Sequence, residues 1–512
     1  MKTPVLVTLF AASFLPLVSS AQTALTVYNQ NFAVVRQRIP LELAKGENAV
    51  TFDQATLHVE PDSVVLRDPS GKVALRVLEQ SYRADTASQG LMLSLFEGKT
   101  LKFLAKNADG GERVVMGKVI RSGYAPNVEA AQRYGQRFYQ TQMAMAGGWG
   151  GNQGGGAPII EVDGELRFSL PGEPIFPALA DDTVLRPTLT WKLASDRAAK
   201  LDAELGYVSG GMSWEAAYNL ISPEKGDTLD LVGWVTIDNQ SGKTFADSKV
   251  KLMAGDVSKL QPGSDNGMKL RESALGAVRF DADVLPVTEK AFDEFHLYSL
   301  PRPVTLRNRE TKQVEFLRAA GVKSKTVYVY HGVSIDWQRY QHYNSESIRN
   351  DRDYGTKSNP KVWVYREFKN TKENGLGVPL PKGRTRFYRG DEADGALEFT
   401  GENAIDHTPE GETVRVYTGD AFDLVGERKR VAYQLSNNHD QLEEAFEIRV
   451  RNRKKEPVEV RVAERLYRWM NWTLLENSDP YVKTDDRNIE FRVTLAPDEE
   501  RVVTYRVRYD WK

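Results

Sequence analysis

The run Ala445-Phe446-Glu447-Ile448-Arg449-Val450-Arg451 leads through Asn452-Arg453-Lys454-Lys455-Glu456-Pro457 into Val458-Glu459-Val460-Arg461-Val462. In an extended chain, Phe446, Ile448 and Val450 project to one side and Glu447, Arg449 and Arg451 to the other. After the polar tip, Val458, Val460 and Val462 alternate with Glu459 and Arg461. Period-two alternation on both sides of a short turn predicts a half-buried antiparallel hairpin. Its outward charges would pair across the strands, Glu against Arg.

The same pattern extends outward from this stretch. Ile489, Phe491, Val493 and Leu495 alternate with Glu490, Arg492 and Thr494, and after Ala496–Glu500 the residues Val503, Tyr505, Val507, Tyr509 and Trp511 alternate with polar ones. Near the other end, Leu25–Tyr28, Val34–Leu43, Ala49–Phe52 and Val64–Leu66 read as strands separated by turns at Lys45–Asn48 and Glu60–Asp62. Strands with one apolar face must pair those faces, so the expected fold is all-β, with antiparallel β-sandwich domains and few short helices. The alternating aromatics near Trp511 also resemble the closing strand of an outer-membrane barrel, a fold that needs many lipid-facing apolar strands.

One helix is expected, over Asn127–Met145, which follows Pro126 and is rich in Ala, Gln and Glu. Directly after it comes Gly147-Gly148-Trp149-Gly150-Gly151-Asn152-Gln153-Gly154-Gly155-Gly156. Such a run loses too much backbone entropy on ordering to form a helix or strand. It reads as a flexible loop, spanning 143–160, between an N-terminal β domain (22–142) and a C-terminal β-sandwich region (161–512). The stretch Gln261–Gly276 reads as a second loop.

Lys2, an apolar run of about 14 residues from Val5 to Val18, and the small residues Ser19-Ser20-Ala21 form a three-part signal-peptide pattern over 1–21. Cleavage would leave a mature chain starting at or near Gln22, in the periplasm or outside the cell. No later segment offers 18 consecutive apolar residues, so no membrane span is expected after the signal. The chain has no cysteine, which excludes disulfides, a thiolate nucleophile and Cys-ligated metal. A net charge of −2 in 512 residues supplies no field to attract nucleic acid.

Catalytic patterns are weak. The Gly-Lys-Thr triplets at Gly98 and Gly242 lack the glycine five residues earlier that a phosphate loop requires, and they read as hairpin turns. Ser222-Pro223-Glu224-Lys225 has the Ser-x-x-Lys spacing but lies between two strand patterns, where it reads as a β-turn. No histidine has another within four residues, so none forms a helical zinc pair and each reads as a surface or core residue. The acidic groups at Asp351–Asp353, Asp391–Asp394 and Asp485–Asp486 read as solvated turns, and Arg428-Lys429-Arg430 as a solvated strand end. No cofactor or metal is expected, and 70 acidic residues are too many for the sequence to single out a glycosidase pair.

The aromatics carry more. Tyr467-Arg468-Trp469-Met470-Asn471-Trp472 and Val362-Trp363-Val364-Tyr365 place large groups on both faces of a strand. Each is either a platform for sugars or a partner, or a strand covered on both sides. Trp149, among glycines, either contacts a partner or folds back onto its own domain. Candidate partner contacts are therefore Trp149, Tyr467, Trp469 and Trp472.

Tyr207-Val208-Ser209-Gly210-Gly211-Met212-Ser213-Trp214, Gly233-Trp234-Val235-Thr236-Ile237-Asp238-Asn239-Gln240-Ser241-Gly242 and Val250-Lys251-Leu252-Met253-Ala254-Gly255-Asp256-Val257 form a recognisable series. Leu380-Pro381-Lys382-Gly383, Glu464-Arg465-Leu466-Tyr467 and Tyr505–Trp511 extend it. From about Leu185 onward the chain resembles the family named for the domain of unknown function 4139. The resemblance implies a bacterial exported β protein and carries no catalytic residues over. The same domain occurs in proteins similar to mucoidy inhibitor A, which implies a link to envelope polysaccharide. Those proteins carry a coiled coil before the domain, and this chain has no heptad run. The expected function is non-enzymatic, an envelope protein that binds a protein partner or a polysaccharide or acts as a scaffold. The alternative is a hydrolase of envelope polymer using an unidentified carboxylate pair.

Overall fold

The computed structural model describes residues 23–84, 86–106, 110–124, 157–177, 184–255, 257, 288–292 and 295–511. The signal pattern, the expected helix Asn127–Met145, the glycine run with Trp149 and the stretch Gln261–Gly276 lie outside the described residues. The chain is all-β, with antiparallel sheets packed as sandwiches. Among the described residues there are three short α-helices, Gln89–Leu95, Trp337–Tyr340 and Ser345–Asn350. Each starts at a side-chain cap, Ser88, Asp336 and Asn344 respectively, which satisfies an otherwise orphaned N–H. None of the described helices is long and apolar enough to cross a membrane.

The described residues fall into two compact units. The first draws on Met1–Trp214, Ile237–Phe280 and Leu297–Lys312, the second on Glu215–Thr236, Asp281–His296 and Gln313–Lys512. In the first unit, strand Phe32–Leu43 pairs with Ala24–Tyr28 and with Ala199–Gly210. Its apolar residues alternate inward as the sequence predicts, Val35, Ile39, Leu41 and Leu43 being buried. Ala24–Tyr28 also pairs with Phe245–Ala254, in parallel. Further parallel pairs join Met212–Ser222 to Gly383–Gly390 and Glu310–His331 to Val458–Arg465, so the sheets are mainly but not wholly antiparallel.

In the second unit the expected hairpin is replaced by an arch. Gln441–Asn452 pairs with Thr413–Leu435 and Glu500–Asp510, whereas Val458–Arg465 pairs with Glu310–His331 and Asn488–Leu495. The two strands are not neighbours, yet Phe446, Ile448 and Val450 share one core with Val458, Val460 and Val462. They face each other across a sandwich. The closing strands do the same: Asn488–Leu495 and Glu500–Asp510 lie in opposite layers and bury Phe491 and Tyr505 with ring centroids 6.0 Å apart. Alternation reports which face is apolar but not whether the next strand lies beside it or opposite it. Strand Glu310–His331 joins the layers, pairing with Lys361–Lys369 on one side and Val458–Arg465 on the other.

Buried asparagines fasten three of the connections. Asn452 donates from Nδ2 to the carbonyls of Glu456, Leu495 and Ala496, and its Oδ1 accepts from Lys454 N–H. Asn370 does the same with Val378, Thr408, Pro409 and Gly377, and Asn239 with Lys243, Leu306, Arg307 and Ser241. All three side chains are fully buried. Carbonyls that no ladder reaches thereby keep a donor.

Candidate functional site

Strand Lys361–Lys369 sends Val362 and Phe368 to one side, both buried, and Trp363, Tyr365 and Glu367 to the other. Register then sets the neighbours, because residues opposite one another share a face. On one side Trp363 meets Asp420, Tyr365 meets Tyr417 and Glu367 meets Arg415. On the other side stand Val329, Val327 and Lys325. Beyond these, Arg461 lies opposite Val329, and Ala463, opposite His331, lies opposite Glu490. One face of the second unit thus carries four rings and a set of ion pairs.

The rings form a row. The His331 and Trp363 centroids are 4.6 Å apart, Trp363 and Tyr417 are 6.2 Å apart and Tyr417 and Tyr365 5.8 Å apart. The Arg415 guanidinium lies 5.9 Å from the Tyr365 centroid. All four rings are half-buried, over Val327 and Val329, which are buried. Edge-to-face contacts at these spacings fix ring orientation.

Charges flank the row. Glu367, only 6% exposed, binds Arg415, Lys325 (3.2 Å) and Arg461 (3.4 Å). Arg461 also reaches Glu490 at 3.9 Å, and Glu490 pairs with Arg492 at 2.8 Å. Asp420 binds Lys361 at 2.8 Å and accepts from Tyr417 Oη at 2.8 Å. Burial works to raise the Glu367 pKa, but Arg415 and Arg461 outweigh it and hold the carboxyl below its ordinary range. The hydrogen bond from Lys361, with that from Tyr417, holds Asp420 low against burial. Burial and the bond to Asp420 push Tyr417 up to about 12. Burial lowers the His331 pKa, with Arg415 adding and Glu490 opposing. At neutral pH the face therefore presents carboxylates, a neutral imidazole and protonated phenols.

Such a face can stack planar or ring-shaped groups and hydrogen-bond their rims. A carboxyl that serves as a general acid near neutral pH needs a raised pKa. Among the described residues, every carboxyl with a shifted pKa is shifted down, Glu367 and Asp420 among them.

The partner contacts expected from sequence lie elsewhere. Trp149 is outside the described residues. Tyr467 is a core residue. Its ring sits 5.7 Å from that of Tyr354 and so close to Gly355 (φ +71°) that a Cβ there would come within 2.3 Å. Its neighbour Arg468 is fully buried, pairs with Glu444 at 3.0 Å and donates to the carbonyls of Ile348, Asp351 and Tyr354. That fastens the segment holding helix Ser345–Asn350 to the sheet. Trp469 is half-buried and stacks on Trp511 at 6.0 Å. Trp472 is half-buried too, donates from Nε1 to the Asp486 carbonyl at 2.8 Å and carries Lys483 over its ring. Trp469 and Trp472 both pack against the core that holds Tyr467.

Other readings are refined. Arg428 is not at a solvated strand end but fully buried in the middle of strand Thr413–Leu435, paired with Glu464 at 2.8 Å. Gly98-Lys99-Thr100 joins helix Gln89–Leu95 to strand Thr100–Lys106, and Gly242-Lys243-Thr244 joins strands of two different sheets, so neither triplet is a hairpin turn. Ser222 ends a strand and Lys225 lies in the following turn, paired with Glu392. Asp351, Asp391 and Asp485 each accept backbone N–H groups of their own turns. Sequence reading singled out Trp363 and Tyr365 but missed Tyr417 and His331. The alternation Val414-Arg415-Val416-Tyr417 was a usable signal, since it puts Arg415 and Tyr417 together outside the core.

No curated protein matches the chain. A family model does match, that of the domain of unknown function DUF4139, over residues 203–512. That span takes in the whole ring row with its flanking ion pairs, and covers more than half of the 512 residues. On that match the chain belongs to the DUF4139 family.

Proposed function

We propose that this chain is an exported cell-envelope protein that binds polysaccharide, without cleaving it, on the ring-lined face of its second unit. The carrying observation is the row His331–Trp363–Tyr417–Tyr365, held at centroid spacings of 4.6–6.2 Å and flanked by Glu367, Asp420 and Lys361. Sugar rings present C–H faces to aromatic rings and hydroxyls at their rims, and this face offers a partner for each. Two further points support the reading. The carboxylates are held ionised by cations, which suits hydrogen bonding to hydroxyls and not proton donation. The signal-peptide pattern supports an address among envelope polymers.

The test is affinity electrophoresis in gels cast with soluble polysaccharides, alongside Trp fluorescence titration. At least one acidic or neutral polysaccharide should retard the native protein. Trp363→Ala and Tyr365→Ala should each weaken that binding by about tenfold, the equivalent of about 1.4 kcal/mol. Retardation by no polymer, or unchanged binding in both variants, would remove this reading. Release of reducing ends from a bound polymer would favour the hydrolase instead.

A further inference from the structure

In the first unit, the turn Ser241–Thr244 borders a cavity of about 420 Å³. Its walls come from strands Phe32–Leu43 and Gly46–Phe52 and from the start of Phe245–Ala254. Ile39, Leu41, Val50, Phe52 and Phe245 make much of the lining apolar. The volume falls within the range of small-molecule sites.

Lys243 lines this cavity. Its ammonium donates to the Gln54 carbonyl at 2.6 Å and to Gln37 Oε1 at 3.1 Å, and lies 5.5 Å from the ring centroids of both Phe52 and Phe245. Among the described residues lining the cavity there is no carboxylate, and Arg38 is the only other charged side chain. A lysine ammonium has only donors, so the Gln37 amide must turn its oxygen toward it. That leaves Gln37 Nε2, on a residue 8% exposed, without a hydrogen-bond partner among the described residues. Unpaired, a buried amide donor costs free energy, and the Lys243 ammonium, on a half-buried residue, gains from meeting an anion. Both deficits lie at one wall of one cavity.

We propose that this cavity binds a small organic monocarboxylate, whose carboxylate accepts from Lys243 Nζ and Gln37 Nε2 while its apolar body lies against Phe52, Phe245 and Leu41. A single carboxylate matches one ammonium and one amide. Burial lowers the Lys243 pKa to about 8, because solvent exclusion disfavours the charged form. Anion binding needs the ammonium, so affinity should be full below that value and fall as pH rises through it.

The experiment is isothermal titration of the full mature chain with octanoate as probe and octanamide as its uncharged control. Octanoate should bind saturably, at least about tenfold more tightly than octanamide, and about tenfold more tightly at pH about 6.5 than at about 9.5. Lys243→Met should remove that discrimination between acid and amide, and Gln37→Leu should weaken octanoate binding while leaving the pH dependence in place. Should Lys243→Met fail to fold, the pH series and Gln37→Leu still decide. Equal binding of acid and amide, a flat pH series, or no octanoate binding would overturn the proposal. None of these outcomes bears on Trp363 or Tyr365, so the polysaccharide reading is tested apart from this one.

Discussion

Replacing Glu464 in the core of the second unit should be among the most damaging single changes in the described part of the chain. Arg428 and Glu464 meet at 2.8 Å with both side chains 0% exposed. Arg428 also donates from Nη1 to the Gly355 carbonyl at 3.0 Å and lies 3.9 Å above the Phe446 ring. Tyr505 Oη donates to Glu464 at 2.5 Å. Burial works to lower the Arg428 pKa, and the Glu464 carboxylate outweighs it, so the guanidinium stays charged. Glu464→Leu would strand that charge, together with the Tyr505 hydroxyl, at a cost of about 3–5 kcal/mol. Arg428→Met alone should cost about the same, by stranding the carboxylate. The double variant Arg428→Met/Glu464→Leu leaves neither member of this pair as a stranded charge and keeps apolar volume near Phe446. It should fall within about 2 kcal/mol of the parent. Urea unfolding followed by circular dichroism and tryptophan fluorescence gives all four corners of the cycle. The coupling energy should exceed about 2 kcal/mol and make the double variant more stable than either single one. Two single losses below about 1 kcal/mol that simply add would refute the reasoning.

The arch turn offers a second test. Asn452→Ala removes four hydrogen bonds and leaves the Leu495 and Ala496 carbonyls without that donor, so denaturant midpoints should report a loss of about 2–4 kcal/mol. His331 should make stability pH-dependent. Its folded-state pKa lies below the ordinary 6.5, so as pH falls the unfolded chain takes up the proton first and the folded state loses stability. The loss begins as pH drops through about 6.5 and is complete below the folded value. Unfolding free energies at about pH 7.5 and about 5.5 should differ by less in His331→Gln than in the parent, and equal differences would show that His331 is not the group responsible.

Strand identity and burial were legible along the chain because each rests on neighbours two residues apart. The alternation of Phe446, Ile448 and Val450 with Glu447, Arg449 and Arg451 forces an extended segment with one buried face. Val35 to Leu43, Ile489 to Leu495 and Val503 to Tyr509 follow the same logic. Absence of cysteine and the all-β class follow from composition and period. Trp363 and Tyr365 stood out because two large rings two residues apart are conspicuous in a sequence, which left open either a binding platform or a strand covered on both sides.

Pairing was not legible, because partner choice depends on contacts made far along the chain. Alternation at Ala445–Val462 fits a hairpin and an arch equally, and the shared core of the two layers decides for the arch. Asn452 looks like an ordinary polar turn residue until its amide meets carbonyls 43 and 44 positions away. Arg428 looks solvated because its anion is 36 residues distant. The ring row needs three strands to bring His331, Trp363 and Tyr417 onto one face. Lys243 shows the same dependence most sharply. In the sequence it follows a glycine in a failed phosphate-loop triplet. In the fold, Gln54 and Gln37, 189 and 206 positions away, accept its hydrogen bonds, and burial moves its pKa to about 8. A side chain's charge state is set by solvent exclusion and by nearby dipoles. Neither exists until the strands have closed around it.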